Sequence, residues 1–128
     1  MGFLKNLFKK HAEPEFTAVK GEAFTLENQN GRIEDPAKSD LAEYLQRLFG
    51  DPDQFVTLTQ PKAVNGIRFM QACLVNGKPV VQLGLEEGGK TRLVEKTCAL
   101  NAECEDIFYL FYEYSSVKDV RDYTPVQF

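Results

Sequence analysis

Residues 80–97 read VVQLGLEEGGKTRLVEKT, and two folds compete for them. Gly84, the run Leu85-Glu86-Glu87-Gly88, then Gly89, Lys90 and Thr91 fit the pattern G-x-x-x-x-G-K-[ST]. In a strand–loop–helix setting that pattern cradles phosphates on backbone amides, aims the lysine at the β and γ phosphates and holds magnesium on the hydroxyl. The same letters also describe two antiparallel strands joined at Gly88-Gly89, a dipeptide able to take the positive φ angles of a two-residue reversal. The residues after the lysine decide between the two. A P-loop helix starts at the lysine, whereas Thr91 to Thr97 alternates with a period of two and carries no apolar stripe at helical spacing. Glu86 and Glu87 stand where a triphosphate would lie and repel it. The chain after Thr91 is also too short for the further βα units of a parallel sheet. The stretch is read as a hairpin, and nucleotide binding at Gly84, Gly89, Lys90 and Thr91 is the alternative it leaves.

Working outward, the period of two continues back to residue 54. Val56 and Leu58 alternate with threonines, GIRFMQACLVN and PVVQLGLEE follow, and Asn76-Gly77 and Gly88-Gly89 mark the reversals. Pro79 stands at a strand start, where a missing N–H does least harm. An antiparallel meander of about four strands is expected over 54–97. Before it, Asp35 is placed to cap and Pro36 to open a helix whose stripe is Leu41, Tyr44, Leu45, Leu48 and Phe49, stopped by Gly50 and Pro52. Residues 16–34, with Phe16, Ala18, Phe24 and Leu26 in alternation and Asn30-Gly31 as turn, read as one or two short strands.

After the meander, IFYLFYEY has the composition of a buried strand and the spacing of a helix. Cys104, Ile107, Phe108, Phe111 and Ser115 recur at three and four residues, Asn101 is placed to cap, and Glu103, Glu105 and Asp106 lie at the positive end of the helix dipole. Periodicity predicts a helix from Ala102 to about Tyr114. Residues 117–128, with Pro125, read as an extended tail with room for an edge strand. The expected fold class is α+β: an antiparallel meander with two helices packed on one face, preceded by a short amphipathic segment over 1–12, with 13–128 as the single domain.

Charge and cysteines bound the function. The 128 residues carry 15 Lys+Arg against 19 Asp+Glu. Lys5, Lys9 and Lys10 stand in the first ten residues, so the other 118 hold twelve bases against nineteen acids, a balance of −7. An acidic body is poorly suited to phosphate backbones and well suited to a basic protein. Three cysteines, an odd number, with no apolar run of signal-sequence kind before them, fit a reducing cytoplasm. Zinc needs close pairs of the C-x-x-C kind, and Cys98 and Cys104 are separated by five residues with no second pair. The lone histidine, His11, lies in the N-terminal segment, away from any nucleophile. Asp51 and Asp53 read as turn chemistry around Pro52 rather than a calcium loop. No cofactor and no metal are expected.

Two surfaces remain as candidates. Phe3, Leu4, Leu7 and Phe8 share one helical face of the N-terminal segment, and Lys5, Lys9 and Lys10 give it charge for a protein partner or for weak contact with an anionic membrane. On the C-terminal helix, Tyr109, Leu110 and Glu113 fall outside the core stripe, so that side is greasier than solvation requires. The expectation is a non-catalytic cytosolic interaction module that binds another protein, or a second copy of itself as a homodimer. Small adaptor and immunity proteins are built this way, an analogy of architecture only.

Overall fold

The computed structural model describes residues 23–126. The N-terminal residues Phe3, Leu4, Lys5, Leu7, Phe8, Lys9 and Lys10, and Phe16 and Ala18 of the expected strands, lie outside the described residues. The described strands are β1 (Thr25–Asn28), β2 (Gly31–Glu34), β3 (Phe55–Val64), β4 (Ile67–Val75), β5 (Lys78–Glu87), β6 (Lys90–Thr97) and β7 (Thr124–Pro125), and the helices are α1 (Lys38–Gly50) and α2 (Asn101–Tyr114). All seven strands join one sheet in the order β2-β1-β3-β4-β5-β6-β7, each pairing antiparallel. The four-strand meander is thus the middle of a larger sheet: the β1–β2 hairpin extends one side of it and the tail the other.

Tight turns set the register. Asn65-Gly66, Asn76-Gly77 and Gly88-Gly89 each take two successive positive φ angles, 55° and 78°, 53° and 81°, and 58° and 81°. That twist matches the right-handed twist of the flanking strands, so each link closes in two residues. The first of the three is a turn signal that the expected meander did not use. Asn30-Gly31 is corrected: the reversal falls at Gln29-Asn30, neither residue takes a positive φ, and Gly31 begins β2. The Asn28 side chain accepts from the Asn30 amide at 2.8 Å and builds the bend itself.

With the register fixed, Leu26, Leu58, Met70, Leu83 and Val94 line up across five strands on one face, each 2% exposed or less. Leu41, Leu45 and Leu48 of α1 and Cys104, Phe108 and Phe111 of α2 join that row in a single hydrophobic cluster. Complete burial of side chains of this size stabilises by about 1.5–3 kcal/mol each. One residue along, the opposite face carries a polar row: Thr57 donates to Gln71 (2.9 Å), Gln71 to Gln82 (3.4 Å) and Gln82 to Glu95 (3.3 Å).

The helices start differently from expectation. Asp35 and Asn101 do not cap. α1 begins after Ala37, whose amide donates to the Asp40 carboxylate at 2.9 Å, while Asp35 sits at φ 51° with its own amide bonded to Phe24. α2 begins after Leu100, and Glu103 reaches back to the Ala99 amide at 3.0 Å. In both helices a carboxylate inside the first turn satisfies an orphan N–H. At its other end α2 is tied down by polar groups. Ser115, at φ 56°, donates to the Gln60 side chain at 2.8 Å, and Gln60, fully buried, donates to the Ile67 carbonyl at 2.9 Å across a register shift in the β3–β4 pair.

Candidate functional site

The P-loop-like residues fall on a hairpin. Gly84 to Glu87 belong to β5, Gly88-Gly89 is the turn, Glu87 pairs with Lys90, and Thr91 follows in β6. No helix begins at the lysine, so the amides of this segment serve strand pairing and do not converge on an anion. Gly84 has its own explanation: it faces Phe69 across the β4–β5 pair, and a Cβ there would run into the Phe69 ring. Its neighbour Glu86 is held by Arg68 at 3.0 Å.

The structure brings the helix trio together only in part. Glu113 pairs with Lys38 of α1 at 3.4 Å, and the same ammonium lies 5.1 Å from the centre of the Tyr109 ring. Tyr109 is half-buried, and burial, followed by the nearby Glu105, pushes its hydroxyl pKa up. Tyr109 and Glu113 therefore make an internal α1–α2 contact. The two helices thus meet along part of α2's outer side, where Glu113 stays exposed. Nearby, Tyr112 donates to the Pro36 carbonyl at 2.9 Å and stacks on Phe24.

Leu110 turns the other way, into a cleft of about 480 Å³ between α2, the end of β6 and the short 3-10 turn Val120–Asp122. Ile107, Leu110, Val117 and Tyr123 supply its apolar surface. Its charged lining is Glu103, Asp106, Asp119 and Asp122 against Lys96 and Lys118. Glu103 accepts from the Ala99 amide and pairs with Lys96 at 3.1 Å, and these contacts, the amide first, hold its carboxyl below the ordinary range. Arg121 grips both oxygens of Asp119 at 3.1 Å and lowers its pKa. Lys118 is engaged within the chain. Asp106 and Asp122 are exposed and make no ion pair among the described residues.

Close to the cleft lie Cys98 and Cys104, both fully buried. The Cys104 thiol donates to Cys98, and that bond together with burial pushes its pKa far up, so it stays a thiol. Tyr123, 8% exposed, has its hydroxyl pKa pushed up chiefly by burial. Among the described residues no group of three or more His, Cys, Asp or Glu is placed to hold a metal ion, and no helix is long and apolar enough to cross a membrane.

Sequence reasoning missed Asp106, Asp122, Val117 and Tyr123 as a group, because the cleft assembles from a helix and a tail that no single periodicity links. The available signal was Tyr123, a large aromatic in a stretch otherwise read as an extended tail with room for an edge strand. No family model, no curated protein and no solved structure matches this chain.

Proposed function

We propose that this chain is a non-catalytic protein-interaction module of the cytosol whose acidic body recognises a basic protein. The observation that carries the reading is the charge balance, −7 over residues 11–128. A surface of one sign accelerates and selects encounters with partners of the other sign. Three free cysteines, two of them in the core, support a reducing compartment.

The test is affinity capture on the immobilised full chain at low and at high salt, with mass spectrometry of what is retained. The expected outcome is a protein of basic isoelectric point held at low salt and released at about 0.5 M NaCl, where the screening length is only a few ångström. No protein above background at low salt, or retention indifferent to salt, defeats the reading. Recovery of the chain itself as the retained species would identify a homodimer, which sedimentation would then confirm.

A further inference from the structure

The cleft beside α2 allows a more specific statement, which rests on the interaction role proposed above. We infer that it seats a basic peptide segment of the partner, with one large aliphatic or aromatic side chain on the apolar floor and lysine or arginine at Asp106 and Asp122. Three observations combine. The apolar part of the lining, Ile107, Leu110, Val117 and Tyr123, carries a single hydroxyl and so offers an anchoring side chain a matching surface. That apolar part suits an anchoring aliphatic or aromatic side chain. A volume of about 480 Å³ lies within the range of sites that enclose a ligand group.

The second observation is charge: the lining holds four carboxylates against two ammonium groups, so it favours a cation. The third is what the chain already uses. Lys96 is spent on Glu103, and Arg121 pairs with Asp119 and adds its field at Asp122, so that among the described residues Asp106 and Asp122 are the lining carboxylates outside any ion pair. Both line the cleft and are exposed, so an incoming ammonium or guanidinium would keep part of its hydration there while its neighbour's side chain is buried. An apolar anchor flanked by charge-assisted contacts is the arrangement by which short peptide segments dock.

The test uses the full chain and three synthetic octapeptides: alternating lysine and leucine, lysine and serine, and glutamate and leucine. Binding is read from the methyl NMR signals of Ile107, Leu110 and Val117. The lysine–leucine peptide is expected to shift all three and to saturate. The double change Asp106→Asn with Asp122→Asn should weaken it at least tenfold, and Ile107→Ser should do the same while the melting temperature confirms the fold. If the lysine–serine or the glutamate–leucine peptide binds as tightly, or the three methyl groups do not move at millimolar lysine–leucine peptide, the assignment is overturned. The two readings fail separately. A partner captured equally well by the Ile107→Ser chain and the native chain leaves the interaction module standing and removes the cleft; an empty capture removes the module.

Discussion

Gly84 shows how a residue pattern can match a motif letter for letter and answer to something else. Its missing side chain makes room for the ring of Phe69 on the neighbouring strand, the pairing by which an aromatic covers a strand glycine. Gly88 and Gly89 answer to the turn, and Lys90 to the cross-strand position opposite Glu87. Three separate demands thus write one P-loop string. Gly84→Ala is therefore expected to destabilise the fold by about 1–3 kcal/mol, as crowding a packed site does, measured by urea denaturation. An unchanged midpoint would show that Phe69 does not need the space. The hydroxyl of Ser115 and the amide of Gln60 are a second residue-scale device, since a buried polar pair is costly to leave half-satisfied and so fixes where α2 ends. The alternation of β3 puts Gln60 at the core position after Val56 and Leu58, but its polar side chain carries no sign that the position is buried.

At the scale of elements, the two hairpin turns with Asn at the first position and the one with Gly have nearly the same φ angles. Asn tolerates that region and has fewer unfolded conformations to lose than Gly. Gly88→Asn should accordingly stabilise the chain by about 0.5–1 kcal/mol, seen as a rise in melting temperature, and a fall would mean that Gly88 is kept for some other contact. The elements themselves were legible where a period ran long enough. The α1 stripe Leu41, Tyr44, Leu45 and Leu48 is buried as the spacing requires, and in α2 the i, i+3, i+4 recurrence of Cys104, Phe108 and Phe111 outweighed a strand-like composition. Their starts were not legible. Asp35 and Asn101 have the right chemistry for caps, yet Asp40 and Glu103 reached the orphan amides from inside the first turn. That competition depends on local backbone direction, and a residue type does not carry it.

For the whole molecule, the core joins both helices to the sheet, and the cysteines report on it. Cys73 lies half-buried on a strand, where burial, followed by Glu95, raises its pKa, while Cys98 and Cys104 are fully buried. In the native chain iodoacetamide should modify Cys73, slowly at neutral pH and faster as the pH rises toward 9. Cys98 and Cys104 should react only on unfolding. Peptide mass spectrometry distinguishes the sites, and equal labelling of all three in the native state would contradict the packing around α2. The candidate site belongs to this scale too. Leu110 was singled out from the helix, but its companions Val117, Tyr123 and Asp122 come from the tail, and Tyr109 and Glu113 were claimed by Lys38 of α1.

Sequence by itself determined the antiparallel meander, the two helices and the acidic balance, because alternation, helical spacing, turn dipeptides and charge are properties of neighbouring or countable residues. Only the tertiary structure decided that β1, β2 and β7 extend the same sheet to seven strands among the described residues, that Lys38 occupies one side of α2 and that a cleft opens on another. Those outcomes turn on which distant surfaces meet, and their energy comes from contacts between residues with no fixed separation along the chain.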